Sequence, residues 1–295
     1  IGGQTRGVID VSLYLGLIGS LCWLLMSPSP TDTQLLLITL LLPLLGVLDQ
    51  TIFLIARAEH YWMMTFCFYW AGERVDLWLS GLMVIQLALW FWAGISKLNP
   101  HFPSVITVML SNHPFNRSKS FRKKLYRDYP HDLQPSSLAR LFAHLGAGLE
   151  LITPILFFLA CTNFMPIEIQ GYCLIAGVIC SLNLHFFITS NVPMGVPIEW
   201  NVVIIYSVFA IFWAHPELNP FTTIYQWSSS STAFDQSLYI LILIMGTVFI
   251  PLVGNLHPKR ISFLLSMRYY AGNWPYSVWL FKGGSEEKLK QLKMT

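Results

Sequence analysis

Lys97 ends an apolar run, LALWFWAGISKLNPHF from Leu87 to Phe102, and an ammonium group there has two uses. Charge is costly in hydrocarbon, so the side chain either snorkels to the interface or turns inward for proton chemistry. Asp49, His144, Glu150 and His185 also fall within apolar runs, and Glu59, His60, Glu73, Arg74 and Asp76 lie close to run ends. Lys97 and Glu150 carry groups that can take or release a proton in that second use, and His60 is an ionisable group near a run end. For Glu150 the competing reading is a structural hydrogen bond to a neighbouring helix. His144 and His185 are candidates for ligand binding, with a satisfied interior histidine as the alternative.

Metal chemistry finds no such set. Arg140 and His144 are four apart and share a helix face, but Glu150 is six beyond His144, roughly 120° around the helix. No Glu-x-x-His pair is present for a di-iron site. The five cysteines, Cys22, Cys67, Cys161, Cys173 and Cys180, lie in or beside apolar runs without CxxC spacing, as small buried hydrophobes do. No metal is expected.

A second unusual stretch is SNVPMGVPIEWN, from Ser190 to Asn201. Pro193, Gly195 and Pro197 forbid a continuous helix there, and Pro197 suits the first turn of the next one. Glu199 in that turn is favoured by the helix dipole. The competing reading is a polar-ligand cradle at a broken helix, with Asn191, Glu199 and Asn201 as its contacts.

Composition decides what holds these groups. With 54% hydrophobic and 11% charged residues and a mean hydropathy of +0.55, the chain is far from a soluble domain. Runs of the length that spans ~30 Å of hydrocarbon recur throughout. They are continuous and Leu/Ile-rich, which excludes the short alternating strands of a barrel. The fold class is an all-α polytopic membrane bundle. About seven spans are expected, near Ile9–Met26, Gln34–Ala56, Leu77–Ile95, Leu138–Cys161, Ile169–Thr189, Ile198–Ala214 and Ser237–Asn255. The aromatic segment near 59–71 is too short to span; it is an interfacial helix, a re-entrant piece, or part of an extra span broken around Asp49 and Arg57.

Basic residues orient the chain. Six of its 18 Lys and Arg residues, Arg117, Lys119, Arg122, Lys123, Lys124 and Arg127, fall within NRSKSFRKKLYRDYPHD. The positive-inside rule places residues 99–137 and the tail after His257 in the cytoplasm. The six are expected to touch anionic lipid. A net charge of +3 and the lack of a recognition motif argue against nucleic acid. The expected organisation is a transmembrane domain over 1–256 and a cytoplasmic tail over 257–295. A start at Ile1 and a charged end, KLKQLKMT, fit a piece of a longer polypeptide.

Three ordered segments carry a resemblance. EHYW at Glu59–Trp62, VDLW at Val75–Trp78 and WFWAGISKLNPHF at Trp90–Phe102 resemble the HTTM domain of vitamin K-dependent gamma-carboxylase and its bacterial relatives. HLGAGLELITPILFF from His144 and SLNLHFF from Ser181 extend the likeness over about 48–212. Through NHPFNRSKSFRKKLYRDYP and SNVPMGVPIEWN the chain also resembles a group of uncharacterised bacterial membrane proteins. The carboxylase resemblance implies that Lys97 is the base that starts oxygenation of a reduced quinone and that His60 belongs to the same region. A quinol or other isoprenoid would then be the lipid-borne ligand, with Trp90, Phe91 and Trp92 as a wall for its ring. The family's continuation after HYW is replaced here by MMTF, and its large soluble domain is absent, which argues against glutamate carboxylation. The competing classes are a non-catalytic subunit that packs lipids, pigments or partner membrane proteins, and a transporter built on helices broken at Pro43 and Pro193–Pro197.

Overall fold

The computed structural model describes residues 7–49, 58–191, 198–228 and 233–257, which are almost wholly helical. The helices are α1 (Val8–Met26), α2 (Asp32–Leu48), α3 (Ala58–Ala71), α4 (Val75–Lys97), α5 (Phe102–Asn112), α6 (Lys119–Lys124), α7 (Ser137–Ala160), α8 (Ile167–Ser190), α9 (Ile198–Ser207), α10 (Pro220–Ser228), α11 (Ala233–Ile244) and α12 (Ile250–Leu256). A two-stranded antiparallel hairpin, β1 (Tyr126–Asp128) and β2 (Asp132–Pro135), lies between α6 and α7.

Among the described residues five helices are long and apolar enough to cross a membrane: Val8–Met26, Val75–Lys97, Ser137–Ala160, Ile167–Ser190 and Ser237–Leu256, the last running from α11 through a π turn into α12. The other two of the seven expected spans are shorter among the described residues. The second ends at Leu48, capped by Asp49, and the sixth runs from Ile198 to Trp213. The segment near 59–71 is a helix, α3, whose Met63, Phe66 and Cys67 are buried in the main core and which packs on α2 and α4. The stretch expected as a loop, 99–137, contains an apolar helix: α5 sets Phe102 and Ile106 against Ala143 and Ala147 of α7. Arg57, Pro193, Gly195, Pro197 and residues 258–295, which hold nearly all of the expected tail, lie outside the described residues.

Local chemistry explains where helices start. Thr31 caps α2 by accepting from the Gln34 N–H while the Gln34 side chain returns to the Thr31 N–H. Ser136 caps α7 through the Ala139 N–H. Within α2, Pro43 has no N–H for the Thr39 carbonyl four residues earlier, and the Trp62 indole of α3 donates to that carbonyl at 2.8 Å. The same device recurs at the far end of the chain. Pro251 leaves the Thr247 carbonyl without its helical donor, the backbone between α11 and α12 loosens into a π turn over Met245–Phe249, and Trp92 of α4 donates to Thr247 at 2.7 Å. Each indole therefore fixes one helix against another where a proline has opened the backbone.

The centre of the bundle is α4. Its residues Met83, Gln86, Trp90, Gly94 and Lys97 recur at three- and four-residue spacing and so share one face. Opposite them α7 presents Glu150, Pro154 and Phe157. Lys97 meets Glu150, and Trp90 stacks on Phe157 at 5.2 Å, so the two helices are antiparallel. Gly177 of α8 packs on Phe157, and the short connection between α7 and α8 makes these antiparallel as well. It follows that α4 and α8 run in the same direction.

Candidate functional site

Gly94 is what lets α4 and α7 touch beside the lysine. A β-carbon built on Gly94 would lie 2.6 Å from Leu151 Cγ and 3.2 Å from the Leu151 main-chain nitrogen. Only a residue without a side chain fits there. Lys97 is three residues on, one turn away on the same face, and Glu150 is next to Leu151. The close approach therefore presents the two charges to each other, and Lys97 Nζ donates to Glu150 Oε2. The side chains are 11% and 6% exposed. Lys97 is turned inward, so snorkelling to the interface is not its role. Pro154 adds a second feature at this point, because it withdraws the helical donor of the Glu150 carbonyl.

A buried hydrogen-bonded chain lies next to the pair. Trp90 Nε1 donates to His185 Nε2 at 3.0 Å, and His185 Nδ1 meets Asn201 Oδ1 at 2.8 Å. An indole can only donate, so Nε2 accepts, and the ring is a neutral imidazole whose single proton sits on Nδ1 and goes to Asn201. Both charges of the Lys97–Glu150 pair act on this imidazole through space. Phe157 and Phe212, with centroids 4.4 Å apart, stack beside Trp90 and exclude water from it. What the arrangement can do chemically is confined to the pair: it can exchange a proton with a hydroxyl brought into contact with it, while His185 is committed on both nitrogens.

The remaining sequence candidates separate into groups. His60 is buried, with its ring edge-on to Trp200 at 4.9 Å, so it faces α9, and the partner of Lys97 is Glu150 rather than His60. Trp90 and Trp92 spend their N–H groups on His185 and Thr247, whereas Phe91 is 40% exposed, so the three do not form one wall. Asn201 is at the chain just described. Asn191 caps α8 and is fully buried, with Nδ2 bonded to the Phe187 carbonyl. His144 and Arg140 lie on the exposed face of α7, away from Glu150. Glu199 is exposed in the first turn of α9. Arg117, Lys119, Arg122, Lys123, Lys124 and Arg127 are all exposed, and Arg122 is tied to the Asn116 carbonyl. Among the described residues no group of three or more His, Cys, Asp or Glu side chains is placed to hold a metal ion.

Sequence reasoning limited to ionisable groups passed over Gly94, Gln86, Ser181 and Ser207. Gln86 carried a usable signal, since an amide in the middle of a 23-residue apolar helix has to be satisfied from within the protein. No curated protein and no solved structure matches the chain. A family model does, along the whole length: the chain belongs to the family described as transmembrane protein of unknown function (DUF3556), over residues 1–295.

Proposed function

We propose that this membrane protein binds a lipid-soluble quinol or related isoprenoid at the Lys97–Glu150 pair, and that the pair accepts a proton from the ligand's hydroxyl. The observation that carries the reading is the inward lysine. A charged pair enclosed among membrane helices is costly to keep, and replacing it with packed apolar groups is commonly neutral or stabilising, so a pair that serves only packing has little to maintain it. Lys97 is the acceptor when the amine is neutral; with Lys97 as ammonium, the vacant position is on the Glu150 carboxylate. The ordered resemblance of EHYW, VDLW and AGISKL to the HTTM pattern supports the same ligand class.

The test uses purified protein in lipid nanodiscs, with decylubiquinol and menadiol as probes and thermal unfolding as readout. A ligand that binds only the folded state raises Tm with concentration. The double variant Lys97→Met/Glu150→Met keeps the core apolar and removes the pair. Stabilisation of the parent protein that is lost in the double variant is the expected result. Equal stabilisation of both, or of neither, refutes the reading.

One observation favours a second reading, a membrane subunit that packs lipid or partner proteins. In α1 only 11% of the apolar window is buried, its main neighbour is α2, and Val8, Leu25 and Met26 are each 84% exposed. Co-purification of the chain in a stable larger assembly supports it, and a monodisperse single chain opposes it. Under both readings the exposed basic cluster faces the cytoplasmic side of a bacterial inner membrane and meets anionic headgroups. A thiol placed by Ser120→Cys should then react with a membrane-impermeant label only after cells are opened; labelling in intact cells reverses the orientation.

A further inference from the structure

Gln86 and Ser181 are both fully enclosed, and each carries a side-chain atom without a hydrogen-bond partner among the described residues, Nε2 and Oγ respectively. They are not scattered. Gln86 lies four residues before Trp90 on α4, Ser181 lies four residues before His185 on α8, and Trp90 and His185 are hydrogen-bonded to each other. Because α4 and α8 run the same way, both residues step back from that bond in one direction, by about 6 Å. They form the next layer of the bundle.

Ser207 of α9 completes that layer. Its Oγ is 3.4 Å from Gln86 Oε1, but it is also 2.7 Å from the Ile204 carbonyl. A serine has one proton, and the shorter contact takes it. Toward Gln86, then, Ser207 presents an oxygen that accepts. Two acceptors facing each other are unfavourable, and turning the Gln86 amide over lets Nε2 donate to Ser207 Oγ instead. That orientation leaves Oε1 as an open acceptor, with the Ser181 hydroxyl still unmatched. Whichever way the amide lies, one of its atoms lacks a partner in a water-poor interior, where an unmatched polar group is costly.

We propose that this layer is a binding site for one hydroxyl-type oxygen, which donates to Gln86 and accepts from Ser181. Its source is an internal water or the hydroxyl of a lipid-soluble alcohol or phenol. A ketone or ether oxygen has no proton to give and fits less well. The site is separate from the Lys97–Glu150 pair, since Gln86 precedes Lys97 by eleven residues, about 16 Å along the helix axis, and it stands whether or not a quinol binds at the pair.

Two measurements on the full chain in nanodiscs test it. In a high-resolution density map, an ordered feature within hydrogen-bond reach of both Gln86 and Ser181 is expected. An isolated feature identifies water; one continuous with a larger molecule identifies the lipid-borne source, which mass spectrometry of the extracted lipids then names. In a thermal double-mutant cycle, Gln86→Met and Ser181→Ala are each expected to lower Tm by a few degrees, and the double variant to fall no further than the worse single variant, because both lose the same bound oxygen. An empty layer in the map, additive losses, or singles as stable as the parent or more so overturn the proposal, the last being the behaviour of polar groups that hold nothing.

Discussion

Replacing Gly94 by alanine tests the contact that presents Lys97 to Glu150. The added carbon would lie 2.6 and 2.7 Å from Leu151 Cγ and Cδ2, against about 3.5–4.0 Å for unstrained carbon contacts. The Leu151 side chain must therefore yield by about 1 Å, which a rotamer change can supply at moderate cost. Its main-chain nitrogen, 3.2 Å away, must yield by a few tenths of an ångström, and only separation of α4 from α7 supplies that. Overpacking of this kind costs about 1–3 kcal/mol. The assay is thermal unfolding of Gly94→Ala, Leu151→Ala and the double variant in one detergent. Gly94→Ala should lower Tm, and the double variant should be more stable than the sum of the two single losses predicts, because removing the leucyl side chain relieves most of the clash. Gly94→Val should be worse than Gly94→Ala. A Gly94→Ala protein as stable as the parent, or strictly additive losses, would refute the assignment of the α4–α7 contact to this glycine.

Three further outcomes are expected. Lys97→Met and Glu150→Gln each strand a buried partner and should cost about 3–5 kcal/mol, while Lys97→Met/Glu150→Met recovers most of the loss in the same unfolding assay. Trp92→Phe leaves the Thr247 carbonyl unmatched, at about 1–3 kcal/mol, and the loss should shrink in a Pro251→Ala background, where a main-chain N–H returns to that carbonyl. Trp62→Phe and Pro43→Ala should behave the same way at Thr39, and a Trp62→Phe loss unchanged by Pro43→Ala would disprove the proline-opened account there.

Membrane class and helical architecture were legible because both rest on composition and run length, which depend on no particular neighbour. Val75–Lys97 shows this well: its apolar run was expected over Leu77–Ile95, and the helix extends two residues further at each end. Short elements were harder. Phe102–Asn112, eleven residues within the stretch 99–137 that its basic residues mark as a cytoplasmic loop, is a helix whose Phe102 and Ile106 are buried because α7 offers Ala143 and Ala147 as a shallow face. Partners were the least legible. Nothing in the chain sets Trp92 beside Thr247, 155 residues on, or Trp90 beside His185, since those pairings depend on helix order in space. The prolines did hold a clue: each proline inside an apolar helix frees the carbonyl four residues earlier, and an indole elsewhere is a ready donor for it.

The direction of the lysine is set by the helix contact beside it rather than by its position at a run end. A snorkelling lysine needs its face of the helix turned to lipid and headgroups, where long side chains are tolerated and a glycine brings no packing benefit. In AGISK, Gly94 and Lys97 are one turn apart and share a face. Small residues are enriched where membrane helices approach closely, and Gly94 is at such a contact, whereas Gly146 and Gly148 of α7 have no neighbour within 4 Å. The lysine on that face therefore points at the neighbouring helix, and burial of its charge requires a carboxylate there. Glu150 in α7 meets that requirement, with Leu151 beside it filling the notch over Gly94. The close contact at Gly94, and not the presence of a glycine alone, is what turns Lys97 inward, since Gly148 lies one turn from the exposed His144 with no neighbour within 4 Å. This makes Gly94→Ala the most direct probe of the pair.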